Sequence, residues 1–292
     1  MNKYISELKL YNYCGFKNLK INFSASNNLA IFYGPNGCGK STILQAIDFL
    51  ALPWEFETRS PEAKNNIYSR LTWHKNYIPG YWAYCPSPFS MEAMLTVKDE
   101  KEKYIVFENN KDTGEKGFTI NQLDSERKPF VYRIDADNPL NSSKFQLLKE
   151  AKEKFLDLTE NIYGLKCSLP DGNTSEVEES FFNSEINKKD YVTFFVDFII
   201  HKGDTQVHFK SMSAGEKKIV TLLAELCNLE IQNIYSVFLI DNIEMHVYFK
   251  RHMAMIRKLQ EHFPDKQIIA TTHSGTIVDE LESHHLYDLE KE

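Results

Sequence analysis

The nine residues GPNGCGKST, Gly34 to Thr42, carry the clearest chemistry in the chain. They satisfy G-x-x-x-x-G-K-[ST] between an apolar run, LAIFY, and KSTILQAIDFLA, which has helical periodicity. That succession of strand, glycine turn and helix predicts a phosphate-binding loop. Gly34, Gly37 and Gly39 let successive backbone N–H groups turn toward anionic oxygens, while Pro35, Asn36 and Cys38 fill the positions between them. The helix that follows adds the positive end of its dipole. Lys40 is placed to reach the β and γ phosphates of ATP, and Ser41 to ligate Mg²⁺, with Thr42 closing the motif. A glycine turn that merely caps a helix is the bland alternative, and the elements on either side disfavour it.

Three further stretches fall in an order that matters. SMSAGEKKI, Ser211 to Ile219, begins about 170 residues after the phosphate loop, just before an apolar helix. Read alone, it is a capping box from Ser213 to Glu216 at a helix start. VFLID then reads as a buried strand ending at Asp241, where an aspartate can hold Mg²⁺ through water. IIATTHSGT supplies another strand end, carrying Thr272, His273 and Ser274.

Together, LKLYNYCGFKNLKINF, GPNGCGKST, MSAGEK, LIDNIEMHV and ATTHS resemble the AAA/ABC-type ATPases of the RecF, SMC and OLD group. The ID-x-x-E-x-H run is most similar to the OLD-like branch, and the resemblance covers about residues 1 to 60 and 190 to 285. It implies a head that pairs with a second copy, ATP being held between one subunit's phosphate loop and the other's signature motif. Ser213, Gly215 and Glu216 take the signature positions, with Ala214 in place of a frequent glycine. Asp241 takes the Walker B position, and His273 that of a switch histidine sensing the γ-phosphate. Many members act on DNA ends, and several OLD-like ATPases serve in antiphage defence beside a nuclease.

The chain departs from the family pattern at four points. Asn242 stands where I-D-E-P-E-x-H-x-H has its catalytic glutamate, with Ile243, Glu244 and His246 following. Asparagine can orient a water but cannot accept its proton, so general-base help is lost unless Glu244 or a partner residue supplies a carboxylate. The alternative is slow hydrolysis, with ATP holding a closed dimer. Cys14 replaces the arginine of N-F-R-x-F, and Gln146 falls too late for a Q-loop glutamine. The chain ends about 20 residues after His273, so a nuclease is expected on a separate chain.

The expected function is therefore an ATPase subunit that dimerises around ATP and regulates a separately encoded nuclease in antiphage defence. A RecF-like DNA-repair ATPase and a hydrolysis-poor, nucleotide-gated scaffold or sensor are the alternatives. A transporter subunit is disfavoured by the missing Q-loop and D-E-P-T sequence. His201, Lys202, His208, Lys210, Lys217 and Lys218 form either a solvated face or a patch facing DNA or a partner.

Positioning these groups requires a particular set of elements. Strands are predicted at 4–13, 16–23 and 29–33, a hairpin over MEAMLTVKDEKEKYIVFENN, and a strand in FVYRIDAD. SSKFQLLKEAKEKFLDLTENIYG predicts a helix with Phe145, Leu148, Phe155, Leu158 and Ile162 on one face. DGNTSEVEES reads as a solvated acidic loop. From 191 strands alternate with helices, which predicts an α/β fold with a mostly parallel sheet flanked by helices and N-terminal antiparallel strands. The reading is one ABC-type ATPase domain built from 1–60 and 190–292, with an inserted α+β subdomain over 61–189.

Composition limits the remaining possibilities. The 292 residues are 42% hydrophobic and 26% charged, an ordinary globular balance. A net charge of −7 disfavours nonspecific coating of nucleic acid but leaves DNA binding open. Cys14, Cys38, Cys85, Cys167 and Cys227 form no CxxC pair, consistent with a reducing cytoplasm. MNKYISELKL lacks an apolar h-region, and the most apolar run, VTFFVDFII, is interrupted by Asp197. A cytoplasmic protein without membrane contact is expected.

Overall fold

The computed structural model of the chain describes residues 3–13, 15–24, 27–48, 89–97, 100–109, 131–134, 146–169, 191–193, 198–228, 233 and 235–290. Its centre is a five-stranded parallel sheet in the order β14–β3–β13–β12–β6, formed by Leu286–Asp288, Leu29–Tyr33, Gln267–Thr271, Val237–Ile240 and Val131–Ile134. A four-stranded antiparallel sheet holds β1 (Lys3–Tyr13), β2 (Phe16–Asn22) and the hairpin of β4 (Phe89–Val97) and β5 (Glu100–Asn109), in the order β2–β1–β4–β5. Helices α1 (40–48), α2 (Lys149–Tyr163), α3 (Ala214–Cys227), α4 (His252–His262) and α5 (Gly275–Glu280) complete the frame. The expected α/β architecture is the observed one.

Why the central strands are uniformly apolar follows from what covers them. Leu29 and Ile31 of β3 face one core, with Phe238, Ile240, Ile268 and Ala270 from β12 and β13 and the buried faces of α2, α3 and α4. Ala30 and Phe32 face the other, with Val237, Leu239, Ile269, the α1 residues Ile43, Leu44 and Ile47, and Leu8, Leu10, Leu19 and Ile21 of β1 and β2. A strand covered on both faces has no solvent side to leave polar. In β2, which is covered on one side, the alternation is visible: Leu19 and Ile21 are buried while Lys20 and Asn22 are exposed.

Two small sheets flank this frame. Cys167–Ser168 (β8), Ile199–Lys202 (β10) and Thr205–His208 (β11) form one, and Gln146–Leu148 (β7) with Tyr191–Thr193 (β9) the other. The second corrects the expected helix. Phe155, Leu158 and Ile162 do share the buried face of α2, with Phe155 edge-on to Phe198 at 5.4 Å between ring centroids. However, residues 146–148 pair as a strand with 191–193, so α2 begins at Lys149 and Leu148 is not on it. An apolar residue spaced for a helix also fits a strand when a partner strand is available. Phe145 and the acidic loop lie outside the described residues.

The apolar run VTFFVDFII contributes to both small sheets, its residues 194–197 lying outside the described ones. Of segment 61–189, β4 pairs with β1, β6 pairs with β12, and α2 packs on α3 and α4.

Gln267 joins the two main sheets. Its side chain is 1% exposed, and it accepts from the Ile5 backbone N–H at 2.8 Å and donates to the Ile5 carbonyl at 2.9 Å. Ile5 lies beyond the last β2 partner, Glu7, so this amide takes the place of a neighbouring strand. Replacing Gln267 with Leu orphans two buried backbone groups, and each should cost about 1–3 kcal/mol. The expected result is a lower urea midpoint with an unchanged slope of unfolding.

Candidate nucleotide site

Phosphate loop and carboxylate meet because parallel strands end together. β3 leads into Gly34, β12 into Asp241 and β13 into Thr272, with Ile240 opposite Ala270 and Thr271 opposite Phe32 in register. Ligand sites in open parallel sheets lie at this carboxyl edge. A cavity of ≈ 430 Å³ opens there, lined by Gly15, Phe16, residues 36–42 and His273.

The loop is tightly built. Gly39 has φ +101°, and a Cβ there would lie 2.4 Å from Cζ of Phe16, so no larger residue fits beneath that ring. Lys40 is 5% exposed, and its Nζ donates to the carbonyls of Gly34 and Pro35, each at 2.8 Å. Its ammonium is therefore held at the loop, where anionic oxygens would meet it.

Ser41, on the first turn of α1, donates its hydroxyl to Oδ1 of Asp241 at 3.1 Å. The same oxygen accepts from the buried Thr271 hydroxyl, which in turn accepts from the Asn242 backbone N–H at 2.8 Å. Hydroxyl and carboxylate oxygens side by side suit a hard cation such as Mg²⁺. Among the described residues no group of three or more His, Cys, Asp or Glu could hold a metal.

After Asp241 the chain turns through left-handed backbone at Asn242 (φ +52°) and His246 (φ +65°). Asparagine tolerates this conformation better than most residues. That is a local reason for asparagine at 242 which the sequence alone does not reveal. Between these turns, Glu244 accepts from the Thr272 hydroxyl at 2.7 Å and the His273 N–H at 2.8 Å. The exposed imidazole of His273 lines the cavity.

Ser213, Gly215 and Glu216, expected at the signature positions, do not line this cavity. Ser213 caps α3 by accepting from the Glu216 N–H at 3.3 Å, while the Glu216 carboxylate accepts from the Ser213 N–H at 2.8 Å. Burial raises the Glu216 pKa, but the Ser213 backbone and hydroxyl and the Lys202 ammonium outweigh it, so the net effect lowers it from the ordinary 4.5. Tyr163 donates to the Glu216 carbonyl at 2.9 Å, and burial pushes its phenol up. A Cβ on Gly215 would come within 3.3 Å of His246 Nδ1, so this glycine admits the post-Asp241 loop against the start of α3.

Of the six basic residues near the signature, Lys202 pairs with Glu216 at 3.2 Å, His201 bonds Ser168 at 2.8 Å, and Lys217 donates to the Lys210 carbonyl at 2.9 Å. Gly15, Phe16 and Thr271 were missed as site residues. Phe16 stands at the last position of the NYCGF stretch, where N-F-R-x-F also has phenylalanine, whereas Thr271, one step before Thr272, is marked by neither spacing nor type.

Because folding lowers the Glu216 pKa, its stabilising effect is present above the ordinary value of 4.5 and is lost as pH falls through the folded value. The stability gap between the protein and its Glu216→Gln variant should therefore close below pH 4.5, as read by chemical denaturation across pH.

The chain belongs to the RecF/RecN/SMC N terminal domain family, whose model matches residues 4–291, and is an ABC-type ATPase of the SMC/RecF-like group. It is 24% identical to the Septu protein PtuA of Bacillus thuringiensis over 309 residues, covering 94% of this chain and 72% of that protein. It is also 24% identical to the Retron Ec83 probable ATPase of Escherichia coli over 387 residues, covering 97% of this chain and 71% of the relative. The SMC head domain from Thermotoga maritima shares the fold, with a TM-score of 0.60, 16% identity and coverage of 97% and 94% of the two chains. Among the described residues no helix is long and apolar enough to cross a membrane.

Proposed function

We propose that this protein is a cytoplasmic ATPase subunit of an antiphage defence system, pairing with a second copy around ATP and controlling a separately encoded effector, a nuclease. The observation carrying the ATP reading is the Ser41–Asp241 contact beneath the phosphate loop. Similarity to a Septu protein and a retron ATPase supports the defence role. In this reading residues 34–42 hold the triphosphate, and Ser41 and Asp241 hold Mg²⁺, which neutralises phosphate charge when bound. Ser213, Gly215 and Glu216, set apart from the cavity, face the nucleotide of the second copy. His273 answers to the γ-phosphate.

Hydrolysis is slow in this reading, because Asn242 supplies no base. The same residue favours a second reading, in which the ATP-held dimer is itself the active state and grips its effector. DNA stimulation of turnover would instead favour the RecF-like alternative.

Steady-state turnover with Mg²⁺ should exceed that of Lys40→Ala, and equality of the two with ATP still bound would leave only the scaffold reading. Asn242→Glu should raise turnover by at least about tenfold, within reach of the roughly 10²–10⁴ that a positioned base contributes. An unchanged rate would mean that the missing carboxylate does not limit hydrolysis. Sedimentation should show ATP-dependent dimers, and Ser213→Arg should abolish them while leaving ATP binding intact.

A further inference from the structure

We propose that Glu244 is a positioning residue for His273, and that its carboxylate orients the segment 272–273 instead of taking a proton from water. The inference rests on the ATP-site reading above and deepens it. Both carboxylate oxygens are engaged by that one segment, Oε2 by the Thr272 hydroxyl at 2.7 Å and Oε1 by the His273 N–H at 2.8 Å. Bonds to a carboxylate are the stronger kind, and two to adjacent groups fix both position and direction. The residue they fix presents its imidazole to the cavity beside Lys40 and Ser41.

The surroundings support this assignment. Thr272 is fully buried, and its oxygen also accepts from the Ser274 N–H at 3.0 Å, so the hydroxyl proton is directed to Glu244. The loop carrying Glu244 is tied independently to the same segment. The Ile243 N–H donates to the Thr271 carbonyl at 3.0 Å and the Asn242 N–H to the Thr271 hydroxyl. Buried His252 bridges the Val247 carbonyl at 2.9 Å and the Ser274 hydroxyl at 2.7 Å. These ties hold loop and segment together when the carboxylate is removed, so a variant at 244 reports on the setting of His273.

Glutamine separates positioning from proton transfer. Its carbonyl can accept from the His273 N–H and its amide can donate to the Thr272 oxygen, but it cannot act as a base at neutral pH. Steady-state ATP turnover and hydrogen exchange of residues 271–275 would be measured on the full chain, Glu244→Ala and Glu244→Gln, with Lys40→Ala as background. Glu244→Ala should lose about 10- to 100-fold in turnover, the scale of a small misplacement at a reacting centre, and its 271–275 segment should exchange faster. Glu244→Gln should recover both, turnover to within about threefold of the parent rate, a rescue that loss of a base would not allow.

Glu244→Gln as slow as Glu244→Ala, with protection of 271–275 retained, would make the carboxylate a base and overturn the proposal. Unchanged protection in Glu244→Ala would overturn it as well. Parent turnover no higher than Lys40→Ala would remove the hydrolysis reading, while the order of exchange rates still decides whether Glu244 positions His273.

Discussion

The site depends on the parallel alignment of β3, β13 and β12. Parallel strands bring their carboxyl ends to one edge, and the register sets Phe32, Thr271 and Ile240 almost level. The phosphate loop, the 271–274 segment and Asp241 therefore emerge side by side although about 200 residues separate the first from the others. Covering both faces of the sheet makes that alignment rigid, since each face contributes to its own buried cluster. A shift of one residue in any of these strands would exchange the two faces and separate Ser41 from Asp241.

Asp241 ties three elements together at that edge. One carboxylate oxygen takes hydroxyls from Ser41 and Thr271, so the end of β12, the start of α1 and the end of β13 share one acceptor. Thr271 passes the constraint on by receiving the Asn242 N–H. The loop that follows is shaped by two left-handed residues and pressed toward the start of α3 at the Gly215–His246 contact. One short loop thus touches both the cavity-lining segment and the start of α3.

Much of this was legible in the sequence. GPNGCGKST predicted the loop because glycine spacing, flanking strand and helix agree at three levels at once. The capping box of Ser213 and Glu216 was also readable, because it is local: donor and acceptor lie within one helical turn. By contrast, the helical spacing that includes Leu148 is overridden, because residues 146–148 find their strand partner at 191–193, far along the chain. Phe16 over Gly39 and Gln267 across Ile5 are likewise contacts between distant residues, with no pattern in the neighbouring sequence to announce them.

What the sequence determined by itself was the inventory: a phosphate loop, an aspartate at a strand end, a capped helix start and a histidine near a third strand end. These follow from short-range rules of backbone freedom, capping and hydrophobic period. What tertiary structure alone decided was how they are connected. Sequence placed Glu244 as a candidate base beside Asn242, but the fold turns its carboxylate toward Thr272 and His273. It also set asparagine at a left-handed position, where a residue's value depends on φ as well as on its functional group. Hydrogen-bond partners and backbone angles of this kind depend on which strands lie side by side, and that is fixed only when the two cores close.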